Sequence, residues 1–525
     1  MKNLVKGTAL GLSLVLLAGC STVSDSIDSL GGGLGGSSET LKIVAATELE
    51  DLQPAIEQAS DDLGFDIELS FPGGTLSNSQ ALMDGAFDQD YDATWFATNR
   101  YVDLIGASNK LGETTKIATS PVAFGVKTSM AQELGWDQRQ PTWEELRQSS
   151  QTQDFPFGMT DPASSNSGFS ALVAMATAYA DTGQALTTND IPAIAEPMST
   201  FLSGQTITSG SSGWLKDTFL EQPDRANAII NYESVLHTMI SEDGADITVV
   251  VPADGVVSAD YPLSTITGSD QGEQVAELAG WFAEHPDALT DTYRRPTTAN
   301  ATLPAELSSQ TIIEAPFPGS KTVTDALIDA YTNQFRVPGE TTFVLDVSGS
   351  MLGQRITLLK DTMSDLISGG ATTDLANESL RDRETISIIP FSFGPHEVIS
   401  ETLGAVGSPS RTDLQQRVEA LQADGGTGIY DAVLAAYAES AGGDYIPSIV
   451  LMTDGELTAG RTYDQFLTEW NALPSNIRSI PVFVILYGEA NVADMEQLAA
   501  TTGGKTFDAI NGDLDEAFKE IRAYQ

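Results

Sequence analysis

Three oxygen-bearing side chains recur at two-residue spacing in FVLDVSGSM, residues 343–351. The stretch begins as an apolar run typical of a buried strand and then presents Asp346, Ser348 and Ser350. Because alternate residues of an extended chain point to the same side, the carboxylate and the two hydroxyls share one face. A hard divalent cation prefers oxygen ligands, at about 2.0–2.1 Å for Mg²⁺. The spacing therefore predicts three ligands of a metal site, with Gly349 allowing the tight turn.

Two other loops at strand ends offer further ligands. Thr427 lies in GGTG, before a helical stretch that begins at Ile429, and Asp454 ends the apolar strand in LMTDGE. Ligands of parallel sheets bind at the carboxyl ends of the strands, so we expect these residues to lie near Asp346. Asp454 can coordinate the cation directly or through a bound water. We expect Asp346 to lie at a solvent-exposed strand end, where it repels Asp454 when no metal is bound.

Apolar strands alternate with helices through the last part of the chain. Strands that are apolar from end to end belong in a sheet that is covered on both faces. Pro390 in ISIIPFS predicts that its strand ends there. The predicted strands are TTFVLDVSGSM, ETISIIPFS, HEVISETL at an edge, SIVLMTDGE, IPVFVILYGE and KTFDA. The predicted helices are RITLLKDTMSDLI, TDLQQRVEALQ, IYDAVLAAYAES, YDQFLTEWNAL, DMEQLAATTGG and LDEAFKEIRAY.

These loops, in this order, resemble the von Willebrand factor type A domain over residues 337–525. The resemblance implies a doubly wound, mostly parallel, Rossmann-like sheet with a metal-ion-dependent adhesion site. Its D-x-S-x-S, threonine and T-D-G positions correspond to Asp346, Ser348, Ser350, Thr427 and Asp454. The implied cofactor is Mg²⁺, or Mn²⁺ or Ca²⁺, and an unknown protein ligand supplies a carboxylate to its open position. The alternative, a type A fold with a vacant site, usually shows as a missing ligand, and all five residues are present.

An α/β rhythm also begins at Leu41 and predicts a mostly parallel sheet with helices on both faces. This region, assigned to residues 41–300, resembles two-lobed bacterial extracellular solute-binding proteins near the molybdate and sulfate receptors. Residues 301–336 are interpreted as a linker and connecting helix. The similar stretches are LKIVAATELEDLQPAIEQ at the opening, TSPVAFGVK at the crossover between lobes, FGMTDPASSNSGFSAL at the second-lobe ligand loop, INYES and YRRP.

The SSNSG segment before an apolar helix presents free N–H groups, and helix starts of this kind bind anions or carboxylates. The candidate cleft residues for a small solute are Thr47, Ser120, Ser165, Asn166, Ser167 and Tyr232. A purely structural role, as a helix cap or a turn residue, explains the presence of each of them equally well. Arg100, Arg294 and Arg295 could balance an anion or form ion pairs, whereas Glu233 disfavours an anion. The ligand class therefore stays open.

The first residues predict export. Lys2 and Lys6 precede an apolar run over residues 8–17, too short to span a bilayer comfortably, and LAGC ends at Cys20, the chain's one cysteine. This resembles the bacterial lipoprotein box, which implies a signal peptide over 1–19, diacylated Cys20 and a flexible Ser/Gly tether over 20–40. A plain secretory signal or an uncleaved anchor is the alternative. We expect a protein anchored by palmitate-like acyl chains to a bacterial cell membrane, on its periplasmic or extracellular face, at the cell surface in the latter case.

The charge excludes one class of partner. The chain has 73 acidic and 26 basic residues and a net charge of -47, so it repels nucleic acid. Solubility in a salty medium explains most of this acidity, and attraction of divalent cations is the sharper interpretation. The three histidines have no zinc or triad spacing, no G-x-S-x-G occurs, and TTGGKT at 501–506 lacks the first Walker glycine.

We therefore expect a non-enzymatic, membrane-tethered recognition protein with Mg²⁺-dependent protein binding. The alternative is a substrate-binding receptor of an ABC-type transporter with an accessory type A domain.

Overall fold

The computed structural model describes residues 40–151, 155–299, 301–369, 379–440, 445–488 and 492–509, with residues 518 and 521. Cys20, the predicted signal peptide and all but the last residue of the tether lie outside these residues, as does most of the predicted helix LDEAFKEIRAY. Within the described ranges, no helix combines the length and the apolar content that crossing a membrane requires.

The strands are β1 Leu41–Ala45, β2 Ile67–Ser70, β3 Ala93–Trp95, β4 Leu111–Lys116, β5 Ala118–Lys127, β6 Phe157–Thr160, β7 Gln205–Ser209, β8 Ala228–Tyr232, β9 Ile247–Val250, β10 Ser258–Ala259, β11 Pro262–Ile266, β12 Arg295–Pro296, β13 Gly339–Asp346, β14 Thr385–Phe391, β15 Ile399–Thr402, β16 Ile446–Thr453, β17 Val482–Leu486 and β18 Thr506–Asp508.

The α-helices are α1 Gln53–Leu63, α2 Thr75–Asp84, α3 Arg100–Leu104, α4 Thr128–Leu134, α5 Trp143–Gln151, α6 Asn166–Ala180, α7 Ala195–Leu202, α8 Ser212–Glu221, α9 Glu233–Ser241, α10 Gly272–Glu284, α11 Pro286–Thr290, α12 Ala305–Ser308, α13 Lys321–Ala330, α14 Gln354–Ser368, α15 Pro409–Glu419, α16 Ile429–Glu439, α17 Tyr463–Asn471, α18 Ser475–Arg478 and α19 Val492–Thr502. Short 3₁₀ helices cover Thr47–Leu52, Ser108–Lys110, Ile191–Ile194 and Gly349–Met351, and a π-helical turn covers Tyr331–Phe335.

The N-terminal region contains two mixed sheets, which define two lobes. The first has the order β2-β1-β3-β11-β4, and the second has the order β10-β5-β8-β6-β7, with β9 and β12 also paired to β5. The prediction of a mostly parallel sheet here is wrong, because β11 runs antiparallel to β3 and β4, and β5 runs antiparallel to β8. β5 and β11 are the first strands after a crossing between the lobes, and each runs antiparallel to a strand of the βαβ units in its sheet.

The chain crosses between the lobes at three places: between β4 and β5, between β10 and β11, and before β12, which pairs with β5 of the second sheet. The first two lie side by side, where the Ile117 N–H donates to the Tyr261 carbonyl at 3.2 Å. Tyr261 has a φ of 36°, a conformation that costs a non-glycine residue energy. The stretch predicted as the crossover, TSPVAFGVK, lies within β5 of the second sheet, just after the crossing point.

The C-terminal sheet has the order β15-β14-β13-β16-β17-β18. β15 lies at the edge, as predicted, and runs antiparallel to β14, while the other strands are parallel. Phe343 and Leu345 pack into one hydrophobic cluster with α14 and α15, while Val344 packs into a second with α16, α17 and α19. Helices therefore cover both faces. The prediction that β14 ends at Pro390 is wrong by one residue, since the strand continues to Phe391 after the pairing with β15 has stopped at Ile388.

The connecting helix α13 packs on the second lobe. Leu327 of α13 and Tyr331 after it belong to the N-terminal hydrophobic cluster, and the Tyr331 hydroxyl is hydrogen-bonded to Gln205. This end of the connection is therefore anchored by burial on the second lobe.

Candidate functional site

Parallel pairing brings the loops after β13 and β16 to one edge of the C-terminal sheet. β13 pairs with β14, with Asp346 opposite Phe391, and with β16, with Leu345 opposite Met452. Asp346 therefore ends the central strand, and Thr453 ends the strand beside it, directly before Asp454. The carboxyl ends of these strands carry four of the five predicted metal ligands. The expectation that Thr427 also follows a strand is wrong, because its loop connects α15 to α16.

Asp346 is buried, which corrects the expectation that it is exposed to solvent. Its two carboxylate oxygens accept hydrogen bonds from the Ser348 N–H at 2.8 Å and from the Thr453 hydroxyl at 2.6 Å. Burial raises the pKa of Asp346, the hydrogen bonds oppose this, and the charge of Asp454 adds to the rise. A cation at this edge would relieve the cost of the buried charge.

The two serine hydroxyls are hydrogen-bonded to each other, at a separation that neighbouring ligands of one cation share. Ser348 Oγ and Ser350 Oγ lie 3.0 Å apart. Two ligands at right angles in an octahedron of about 2.1 Å radius are separated by about 3 Å. No group of three or more His, Cys, Asp or Glu side chains suited to a metal occurs in the described part of the chain. A site here would use hydroxyls beside its two carboxylates, and this donor set fits a hard cation.

Backbone hydrogen bonds fix the loop that carries Thr427. The Gly349 N–H donates to the Gly425 carbonyl at 2.9 Å, and the Asp424 N–H donates to the Val347 carbonyl at 2.8 Å. The Thr427 N–H donates to the Thr458 hydroxyl at 2.8 Å. Thr427 is buried, and the structure joins its loop to the D-x-S-x-S loop by these bonds.

An arginine that the sequence reasoning missed lies at this edge. Arg355, in α14, donates from Nη1 to the Asp454 carboxylate at 2.8 Å and to the Ser350 carbonyl at 3.1 Å. Its side chain is 43% exposed, whereas that of Asp454 is 1% exposed. Its position one turn after the D-x-S-x-S loop was the available signal. Arg355 supplies a positive charge to the carboxylate predicted to serve the metal.

The predicted cleft residues gather around the starts of three helices in the second lobe. The Asn166 amide donates to the Tyr232 hydroxyl at 3.0 Å, and Ser167 Oγ lies 2.8 Å from Ser212 Oγ, at the start of α8. Ser165 precedes α6, but its side chain makes no capping hydrogen bond. It lies 3.4 Å from Ser167. Ser165 therefore does not cap α6, and the bond between Ser167 and Ser212 joins α6 to α8.

The other two predicted cleft residues lie at the rims of this group. Thr47, which begins the 3₁₀ helix after β1 in the first lobe, accepts a long hydrogen bond of 3.5 Å from the Gly213 N–H of α8. The Ser120 hydroxyl lies 3.1 Å from that of Ser234, in α9. Thr47 is the member of the set that comes from the first lobe, so the contact to Gly213 spans the two lobes.

The arginines considered as anion partners have other partners. Arg294 is completely buried and pairs with Asp51 at 2.9 Å. Arg295 forms two hydrogen bonds to Glu233 at 2.9 and 3.0 Å. The guanidinium of Arg100 lies over the Phe317 ring, 5.3 Å from its centroid. Glu233 therefore does not decide the sign of the ligand, because Arg295 balances its charge.

Comparisons with known proteins identify both regions. Residues 339–507 match the family described as von Willebrand factor type A domain, and residues 43–283 match the family described as bacterial extracellular solute-binding protein. No curated protein matches the chain. The recognition of the two regions and the α/β fold class are thereby confirmed. A type A domain often carries a metal-ion-dependent adhesion site, and the two matches together support an extracytoplasmic ligand-binding protein.

Solved structures similar to the chain include periplasmic binding proteins. The periplasmic binding protein P5PA is 16% identical, with a TM-score of 0.44, over 57% of this chain and 99% of its own. A periplasmic thiamin binding protein is 14% identical, with a TM-score of 0.45, over 57% and 96%. The sulfate-binding protein SubI from Mycobacterium tuberculosis H37Rv is 17% identical, with a TM-score of 0.40, over 55% and 98%. At these identities the similarity concerns the fold alone.

Proposed function

We propose that this chain, which joins a bacterial extracellular solute-binding region to a von Willebrand factor type A domain, is a membrane-tethered, non-enzymatic recognition protein. Its type A domain binds a partner protein in an Mg²⁺-dependent way, and its cleft holds a small solute. The observation that carries the proposal is the pair of hydroxyls, Ser348 and Ser350, 3.0 Å apart beside the buried carboxylate of Asp346.

Each residue of the set has a distinct task. Ser348, Ser350 and Thr427 provide hydroxyl oxygens, while Asp346 orients the loop by accepting the Ser348 N–H. Asp454 supplies the second carboxylate, provided that Arg355 shares it or moves away. The bound cation supplies positive charge to a carboxylate of the partner protein. The three loops are held in advance by hydrogen bonds, so little ordering opposes binding.

Export and anchoring complete the proposal. A solute-binding region of this family supports a location outside the cytoplasm. Cys20, as the acylated residue, would hold the protein at a bacterial membrane. The chain would then sample solutes in its cleft and a protein partner at its type A domain.

Titration calorimetry of the full chain, purified in detergent, tests the metal site. Mg²⁺ and Mn²⁺ are titrated into the wild type, Asp346→Asn, Ser350→Ala and the control Ser400→Ala, which removes an exposed hydroxyl on β15. We expect affinity to fall at least about tenfold in the first two variants, because changes even to the partners of ligands typically cost 10–100-fold. Asp346→Asn is preferred to alanine, since alanine would leave two buried donors unpaired at about 1–3 kcal/mol each. Equal metal binding by wild type, Asp346→Asn and Ser350→Ala would overturn the proposal.

A further inference from the structure

A cavity of about 340 Å³ opens between the two lobes. The first lobe contributes the 3₁₀ helix Thr47–Leu52 and Phe71, and the second contributes the first turns of α8 and part of α9. Its size falls at the lower end of the range of about 300–1,000 Å³ typical of small-molecule sites. The side chains of Phe71 and Trp214 give it an aromatic portion. A small organic molecule would fit.

The charged side chains around this cavity are strongly unbalanced. The acidic residues that line it are Glu48, Glu50, Asp51, Asp217 and Glu242. Among the residues that line it, Lys216 is the one base, and its ammonium lies 3.7 Å from Asp243. Arg294, behind the cavity, is paired with Asp51. These two cations near the cavity therefore already have a carboxylate partner.

One carboxylate is buried in this wall without a hydrogen-bond partner for one of its oxygens. Glu48 is 7% exposed, and its Oε1 has no partner within the described residues. Arg294 donates to the backbone carbonyl of Glu48 and directs its ion pair to Asp51. An unpaired buried carboxylate oxygen is costly, so its retention in a cavity wall points to a donor that arrives with the ligand.

The pKa values around Glu48 agree with this interpretation. Burial raises the pKa of Glu48 to about 7, against the opposing effects of its own backbone N–H and the charge of Arg294. Burial, and after it the charge of Glu48, raises the pKa of Tyr232 and of Tyr261. The charge of Glu48 therefore acts on Tyr232, a predicted cleft residue. A cation placed against Glu48 would compensate for the hydration that burial removes.

We infer that the inter-lobe cavity binds a small organic cation whose ammonium or amidinium N–H groups donate to Glu48 and whose apolar part contacts Phe71 and Trp214. This inference rests on the proposed solute-binding function and specifies its ligand class. It departs from the anion-receptor resemblance of the opening stretch, because an oxyanion would meet the excess of carboxylates at this wall. Aromatic rings beside the carboxylate also favour a cation through their π faces.

The test compares probes of opposite charge on the full chain in detergent at pH 8. Benzamidine and phenethylamine are the cations, benzoate and phenylacetate are anions of similar shape, and sulfate and molybdate represent inorganic oxyanions. Melting temperatures are measured for the wild type, Glu48→Gln and the control Glu57→Gln, an exposed carboxylate on α1. Calorimetry then gives Kd for the cation with the largest shift.

We expect the cations to raise the melting temperature of the wild type and of Glu57→Gln, since a ligand that binds the folded state stabilises it. Glu48→Gln should fold at least as stably, because it removes a buried charge, yet bind the cation at least about tenfold more weakly. If oxyanions or carboxylates stabilise the protein and cations do not, the ligand class is wrong while solute recognition stands. Equal cation affinity in wild type and Glu48→Gln also overturns the assignment. If no probe of either charge binds, the cleft proposal fails together with it.

Discussion

The ion pair between Arg381 and Asp161 is the contact whose removal should reveal most about how the two regions are held together. Arg381 lies before β14 of the type A domain, and Asp161 directly follows β6 of the second lobe. Arg381 Nη2 lies 2.9 Å from Asp161 Oδ2, and the side chains are 13% and 6% exposed. Arg381→Met keeps a long side chain and removes the guanidinium, so Asp161 loses its ion-pair partner.

The expected loss in free energy of unfolding follows from the burial of the ion pair. Removing one partner of a buried ion pair typically costs about 3–5 kcal/mol, since the other charge stays in the interior. Arg336 also lies near Asp161 and helps to hold its charge, which places the expected loss near the lower end, about 3 kcal/mol. Arg417 and Asp413 form a matched control pair within α15, where both side chains are about half exposed. Arg417→Gln should cost only about 0.3–0.5 kcal/mol.

The pH dependence gives an independent check. Burial alone would raise the pKa of Asp161, but the charges of Arg381 and Arg336 and the Ala163 N–H bring it below its usual value. A carboxyl with a lowered pKa in the folded state stabilises the fold above its unfolded pKa of about 3.9 and loses that contribution as the pH falls through the folded value. In Arg381→Met, burial without the ion pair raises the pKa of Asp161, so Asp161 protonates at a higher pH than in the wild type. The difference in free energy of unfolding between wild type and variant should therefore be largest near pH 7 and become smaller towards pH 3.5.

Urea denaturation of the full chain in detergent, followed by tryptophan fluorescence at pH 7 and at steps down to pH 3.5, measures both effects. The wild type, Arg381→Met and Arg417→Gln are compared under one set of conditions. A loss in Arg381→Met within about 0.5 kcal/mol of that in Arg417→Gln would show that the pair behaves like an exposed one. If the difference in free energy of unfolding between wild type and Arg381→Met stays constant over the pH range, the role assigned to the Asp161 charge is refuted.

Two further changes test the metal edge and the anchor. Arg355→Gln removes the guanidinium that contacts Asp454. Because the Arg355 side chain is 43% exposed, we expect the Mg²⁺ affinity measured by calorimetry to rise by no more than about fivefold, the equivalent of about 1 kcal/mol. Weaker Mg²⁺ binding by the variant would show instead that Arg355 supports the site. Cys20→Ala should transfer the protein from the membrane to the soluble fraction after a salt wash, since acyl chains would supply the membrane affinity, and membrane retention of the variant would contradict the lipid anchor.

The metal edge could be predicted from the sequence because its signals are local. Asp346, Ser348 and Ser350 share one loop, and apolar strands around them predict a parallel sheet whose carboxyl ends meet. The burial of Asp346 was missed, since it arises from parallel pairing on both sides, with β14 and β16, and from the hydroxyl of Thr453, 107 residues away. Periodicity within one strand carries no information about such neighbours.

The cleft shows the opposite case, in which local sequence named the wrong carboxylate. Glu233 begins α9 and was expected to disfavour an anion, but its partner Arg295 lies 62 residues away. Glu48 follows the predicted cleft residue Thr47 directly, yet in a chain with 73 acidic residues nothing in its surroundings marks it. Which carboxylates have a basic partner is decided by tertiary contacts, such as the bond from Arg294 to Asp51, 243 residues apart.

The Arg381–Asp161 pair also joins the type A domain to a loop of the second lobe. The Asp161 carbonyl accepts the N–H groups of Ser164 and Ser165, and its carboxylate accepts that of Ala163, so Asp161 organises the loop that begins α6. Arg381 of the type A domain in turn holds the Asp161 carboxylate. A fragment that begins at residue 337 would leave Arg381 without this partner and would expose the surface beside it. Such a fragment would therefore lack a contact that the full chain makes, and the full chain is the proper sample.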